Sequence, residues 1–402
     1  METGTMIDRV ALARRATRLM TTRPAPDPAD LISLGSGHGS PAVFPDLTEM
    51  AQKALTSCRS ETLQYGPALG LPEMREWIAD YMKENGLNVS AENVLVVNGA
   101  KQGLDLICRL LLDDGDAVVV SSPTYFTCIP IFRSFGAEFI EVSQDAEGLV
   151  VDELRETLER RKRAGESIPK LIYDVPDYHN PSGITMSGQR REALVKLADA
   201  NGIYIVEDSP YRRVRFEGDE EPMVKVFDRG DTVFVLGTFS KLVAPGLRIG
   251  WVLTSKEMVA RLVQLKSDAG SCPLTQRIII EFCKAGYLAT HTKRVQDTYR
   301  DHRDTMVAAL RRALPEASFP IPRGGYYLWL TLPPSIDGDE LAERALHEKV
   351  GIISGSRFFA GNGPHGTGSH KHHIRLCYSH ATPAEINEAV QRLARAVHSM
   401  NP

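Results

Sequence analysis

The sequence is expected to fold as an α/β protein: a mostly parallel β-sheet covered by helices, followed by a smaller α+β unit. Three observations carry this expectation. Continuous apolar, β-branched runs recur: VLVVNGA from Val94, then AVVVSSP, GAEFIEVSQ, KLIYDVP, GIYIVEDSP and TVFVLGTFS. Helix-like segments such as GLDLICRLLLDDGD and GQRREALVKLADANG separate them. Strands buried on both faces read as unbroken apolar runs, and parallel neighbours need helical crossovers. The rhythm then changes after a long polar helix over 292–314, with GGYYLWLTLP, a helix at GDELAERALHEKVG, and KHHIRLCYS.

Taken in chain order, residues 7–20 suit a short amphipathic helix with arginines on one side, and residues 22–30, rich in Pro and Asp, a linker. EMREWIADYMKENG reads as a helix ending at Gly86. The last helix is PAEINEAVQRLARAVHSM. Internal repeats and low-complexity tracts are absent. Asn362 opens a Gly- and His-rich loop running to residue 373.

With 402 residues the chain buries a large core without staples. Hydrophobic (43%) and charged (24%) contents are those of a globular protein, and a net charge of −4 argues against a broad nucleic-acid footprint. The six cysteines form no CxxC pair, which suits free thiols in a reducing compartment rather than zinc or disulfides. The N-terminus lacks the apolar core of a signal peptide, and no apolar run approaches a membrane span. A cytoplasmic enzyme is expected.

The chemistry gathers at strand ends, where open α/β sheets bind ligands. TFSKLVAPGLRIGW, 238–251, follows TVFVLG and carries Lys241, a candidate amine nucleophile among small residues. Arg248, seven residues on, suits a phosphate, and Gly246 permits the turn between them. YDVPDYHNPSG, 173–183, aims the Asn180 amide from a Pro-directed turn. In VEDSPY, Asp208 is a strand-end carboxylate that needs a cationic partner such as a protonated pyridine nitrogen, while Tyr211 can meet a phenolic oxygen. In NGAKQG the amides of Gly99, Ala100 and Lys101 open a helix and suit an anion; Tyr125 in SSPTYF offers an aromatic face. Each motif alone has a plainer reading as an ordinary turn, cap or core residue. GSGHGS, 35–40, lacks the third glycine and the βαβ setting of a dinucleotide loop.

In order, YGPALGLPEMR, NGAKQG, SPTY, YHNPSG, DSPY, FSKLVAPGLRIGW, GGYYLWL and IRLCYS resemble the motifs of class I/II aminotransferases of fold type I, in the branch of the 2-aminoadipate and kynurenine aminotransferases. The resemblance covers nearly the whole chain. It implies a large domain at 49–300 with a mostly parallel seven-stranded sheet, a small domain at 301–402, and an arm at 1–48 that joins the small domain. It implies pyridoxal 5′-phosphate as cofactor, held by Lys241 as a Schiff base, with Lys241 shuttling the substrate's α-proton. Asp208 would pair with the ring nitrogen, Asn180 and Tyr211 would hold the phenolic oxygen, and Tyr125 would stack on the ring. Gly99, Ala100, Lys101, Ser240 and Arg248 would hold the phosphate. Tyr65 would reach the phosphate of a neighbouring subunit, implying a homodimer with shared sites. Arg375 would clamp the substrate's α-carboxylate, and Gly37 would touch the substrate.

Lys101 departs from the Gln common in that branch. Four arginines near the N-terminus (Arg14, Arg15, Arg18, Arg23) are candidates to read an acidic side chain, and Tyr326 and Tyr327 to favour aromatic or long substrates; each has a structural alternative. His365, His370, His372 and His373 are too irregularly spaced for a metal site, and none is expected. The leading reaction is transfer of an amino group between an L-amino acid and a 2-oxo acid, with 2-oxoglutarate/glutamate as one pair. The alternative is elimination, cyclisation, decarboxylation or oxidation at the same site. A DNA-binding regulatory role is disfavoured, since only about thirty residues precede the aminotransferase-like portion.

Overall fold

The computed structural model describes residues 12–19, 30–361 and 370–400. Within them the strands are β1 (Ile32–Ser33), β2 (Val94–Val97), β3 (Ala117–Ser122), β4 (Glu138–Asp145), β5 (Gly148–Leu149), β6 (Leu171–Asp174), β7 (Tyr204–Asp208), β8 (Val233–Thr238), β9 (Gly250–Leu253), β10 (Tyr327–Thr331), β11 (Val350–Gly351), β12 (Ile353–Ser354) and β13 (His373–Cys377). The central sheet has the order β2-β9-β8-β7-β6-β3-β4-β5. Its core pairs, β8–β7, β7–β6, β6–β3 and β3–β4, are parallel. β9 is antiparallel to both β8 and β2, so β2 and β8 run the same way. The sheet is therefore the expected seven strands plus β5, a two-residue edge strand antiparallel to β4.

Alternation explains how both faces are covered. Along β2, Leu95 and Val97 join one core with Leu104, Ile107, Leu236 and Val252. Val94 and Val96 join the other with Met74, Ile78, Trp251 and Ile279. The helix Ala100–Leu111 lies close on the sheet because residue 103 is glycine: a Cβ there would sit 2.8 Å from Leu236 and Val252.

The helix Tyr287–Ala313 begins five residues before the expected span and runs without interruption through residue 300. It packs against the last helix, Pro383–His398. β10, β13 and β12 form an antiparallel sheet, and β1 pairs in parallel with β11, tying the segment after residue 30 to the C-terminal unit. Among the described residues no helix is long and apolar enough to cross a membrane. Of the N-terminal expectations, only Arg14–Thr17 is seen as helix; residues 1–11 and 20–29, with nearly all the expected linker, lie outside the described residues.

Candidate active site

The motif-bearing residues converge because β2, β3, β6, β7 and β8 all point their C-terminal ends to one edge of the sheet. β8, buried throughout, ends at Thr238. The Thr238 hydroxyl oxygen accepts from the Ser240 amide at 3.1 Å, and the Phe239 carbonyl accepts from the amides of Leu242 and Val243. This tight turn holds Lys241 over the strand end. Its Nζ donates to the Gly37 carbonyl at 2.8 Å and lies 5.0 Å from the centre of the Tyr326 ring. Burial lowers this amine to about 8.

Beside it, Asp208 ends β7 and is buried. Oδ2 accepts from the Tyr173 hydroxyl at 2.7 Å, while Oδ1 is buried without a partner. Desolvation raises the carboxyl to about 6, against the pull of the Tyr173 hydrogen bond. The fully buried Asn180 accepts from Arg375 at 2.9 Å through Oδ1, leaving Nδ2 unpartnered. Arg375 also donates to the Gly35 carbonyl at 2.5 Å and lies 4.2 Å from the centre of the Tyr327 ring. The Tyr211 and Tyr327 hydroxyls are 3.2 Å apart.

The opposite end of the cleft is cationic and rich in amide donors. Gly99 caps the helix Ala100–Leu111 with φ +86°, and no side-chain hydrogen bond caps its N-terminus. Arg248, itself left-handed at φ +54°, donates to the Asn98 carbonyl at 3.0 Å, and a Cβ on Gly99 would meet its guanidinium at 2.7 Å. Lys101 is exposed in that first turn and makes no ion pair among the described residues. Gly99, Ala100, Lys101, Tyr125, Asn180, Asp208, Tyr211, Ser240, Lys241 and Arg248 thus line a single cleft. A second cleft opens from it past Tyr125, Tyr211 and Lys241 and is lined by Gly35, Gly37, His38, Phe126, Tyr327 and Arg375. The segment GSGHGS therefore lines a cleft.

Not every candidate gathers here. Tyr65 is 84% exposed and does not line either cleft. Arg18 donates to Asp114 at 2.7 Å, with Arg14 nearby, beyond the far end of the helix Ala100–Leu111 and about 17 Å from its start at 1.5 Å per residue. These two arginines therefore sit away from the cleft of their own chain. Arg23 and His365 lie outside the described residues. His373 stacks on Trp329, and His372 meets the Ile336 carbonyl. Among the described residues no cluster of His, Cys, Asp or Glu has the makings of a metal site. Sequence reasoning missed Tyr173, whose only signal was a phenol in an otherwise aliphatic strand end.

The cleft tests directly for the kind of group it takes. An unpartnered carboxylate oxygen, an unpartnered amide donor, a poised amine and an open helix N-terminus with an arginine line one cavity. A flat ring with a cationic nitrogen, a phenolic oxygen, an aldehyde and a phosphate answers all four, and pyridoxal phosphate is such a group. The fold and site together define a fold type I pyridoxal-phosphate enzyme.

Comparison with known proteins narrows this class. Residues 29–393 match the family Aminotransferase class I and II. The chain is similar to aromatic-amino-acid aminotransferase 1 of Thermococcus litoralis, at 32% identity over 96% of this chain and 93% of that protein. It is also similar to the 2-aminoadipate transaminase of Thermus thermophilus, at 31% identity over 95% and 92%. The crystal structure of Pyrococcus horikoshii kynurenine aminotransferase superposes with a TM-score of 0.91 at 30% identity, covering 99% of both chains. The chain belongs to the class I and II aminotransferases. It is an enzyme whose cofactor is pyridoxal phosphate and whose reaction is the transfer of an amino group.

Proposed function

We propose that this aminotransferase holds its cofactor covalently through Lys241 and uses the freed amine to move the substrate's α-proton. The observation that carries the reading is the convergence of the Lys241 amine, the orphaned Asp208 oxygen and the Gly99 helix terminus on one cleft. When bound, the cofactor supplies an electron sink that acidifies the substrate's α-carbon–hydrogen bond. Asp208 pairs with the ring nitrogen and keeps it cationic. Asn180, through Nδ2, and Tyr211 donate to the phenolic oxygen. The amides of Gly99, Ala100 and Lys101, with Ser240 and Arg248, hold the phosphate. Tyr125 lies against the ring.

Arg375, steadied by Asn180 and Gly35, holds the substrate's α-carboxylate, and Gly37 borders the substrate. Lys241 Nζ, lowered to about 8, has an accessible neutral form near neutral pH and accepts the α-proton there. The protein acts as a homodimer in the cytoplasm, with Tyr65 reaching the neighbouring subunit's phosphate; its exposure away from its own cleft supports this.

We assign 2-oxoglutarate and glutamate as one substrate pair, with an L-amino acid of the aromatic or 2-aminoadipate kind as the other donor; the relatives' names support the choice of that donor. The test is a single turnover of the holoenzyme with a panel of L-amino acids. The expected result is one equivalent of 2-oxo acid, bleaching of the visible cofactor band, no ammonia, and recovery of the band on adding 2-oxoglutarate. Ammonia release without an acceptor would contradict it.

A further inference from the structure

Tyr327 opens β10 and points its phenol into the centre of the site. It is buried, and its hydroxyl accepts from that of Tyr211 at 3.2 Å, so donation by Tyr327 needs its hydroxyl to turn. Among the described residues neither hydroxyl has another hydrogen-bond partner. The groups around the Tyr327 phenol are Arg375 over its ring, Cys377 opposite it across the β10–β13 ladder, and the phenols of Tyr125 and Tyr326. None is a carboxylate that competes for its proton. The room for this hydroxyl comes from Gly37, where any Cβ would collide with it. The carbonyl of the same glycine accepts from Lys241.

A phenol carries one proton to donate. If Tyr211 spends its proton on the cofactor's phenolic oxygen, it has none left for Tyr327, and their contact persists only with Tyr327 as donor. Chained hydrogen bonds polarise one another, so a hydroxyl that accepts from a neighbour donates more strongly onward.

We propose that Tyr327 is a positioning residue for the cofactor: its hydroxyl donates to Tyr211 and commits the Tyr211 proton to the cofactor's phenolic oxygen. The inference rests on the assignment of Tyr211 to that oxygen. Tyr327 thereby couples two parts of the site. Its ring backs the guanidinium of Arg375, and its hydroxyl backs Tyr211. The expected size is that of a relay through one intermediate phenol, smaller than the direct contact.

The test is a pH titration of the holoenzyme's visible absorbance in wild type, Tyr327→Phe, Tyr211→Phe and the double variant. Donation into the phenolic oxygen favours the unprotonated form of the nitrogen beside it, so losing a donor raises the titration midpoint. Tyr211→Phe is expected to raise it most. Tyr327→Phe is expected to raise it by about 0.3–0.5 units, and the double variant to match Tyr211→Phe alone, since the relay has nothing left to act through. A midpoint unmoved by Tyr327→Phe while Tyr211→Phe shifts it overturns the relay alone. A Tyr327→Phe shift that adds in full to that of Tyr211→Phe does the same. An unmoved midpoint in Tyr211→Phe overturns the Tyr211 assignment, and the inference with it. KM for the amino donor is expected to hold in Tyr327→Phe, because the ring over Arg375 remains; a raised KM with an unmoved midpoint would reduce Tyr327 to packing behind the carboxylate clamp.

Discussion

Asp208 shows what single residues cost and deliver in this site. Its carboxyl is held at about 6 against an ordinary 3.8, chiefly by desolvation. Above about pH 6 it is ionised in both the folded and unfolded chain, and the folded cofactor-free protein carries the whole penalty. Below 3.8 it is protonated in both states and the penalty disappears. Asp208→Asn is therefore expected to stabilise the cofactor-free protein by roughly 1–3 kcal/mol at neutral pH. That gain shrinks as pH falls from about 6 toward 4, read by urea unfolding across pH. The same variant should hold the cofactor more weakly, since an amide cannot pair ionically with the ring nitrogen. Lys241, Asp208, Asn180 and Arg248 stood out in the sequence as candidates because charged or amide side chains beside Gly, Pro and Ser turns are conspicuous after apolar strands; Arg375, inside β13, was a candidate only through the family resemblance. Tyr173 was not, because its partner Asp208 lies on the neighbouring strand and only the parallel register of β6 and β7 brings them together.

At the scale of elements, the site depends on a helix that starts where it must. Gly99 at φ +86° turns the chain from β2 into the helix Ala100–Leu111 and leaves the first-turn amides open beside Arg248. Gly99→Ala puts an L-residue in a strained backbone region and pushes a methyl to 2.7 Å from the guanidinium. The expected outcome is a loss of about 1–3 kcal/mol in stability. Cofactor dissociation should also strengthen at least about tenfold, a displacement of the phosphate partners worth some 1.4 kcal/mol, measured by fluorescence titration of the cofactor-free protein. The parallel strands were readable from their apolar runs. β9 was not singled out as a strand, because GLRIGWVL carries a turn, an arginine and two glycines within a run that also had a chemical reading. β5, at two residues, has no period to detect.

The whole molecule is closed by contacts between segments far apart in sequence. Gly35 accepts from Arg375, Gly37 accepts from Lys241, and β1 pairs with β11. These contacts make a wall of the second cleft, and no local pattern foretells them. GSGHGS could be dismissed as a nucleotide loop from its spacing, but its place against Tyr327 follows only from the folded chain. The proposed chemistry turns on Lys241 being the covalent anchor. Borohydride reduction of the holoenzyme, followed by peptide mass mapping, tests it most directly. The expected result is one equivalent of cofactor fixed on the peptide bearing Lys241, with none fixed in Lys241→Ala, which still binds cofactor reversibly. Fixation on another lysine, or equal fixation in Lys241→Ala, would contradict the account.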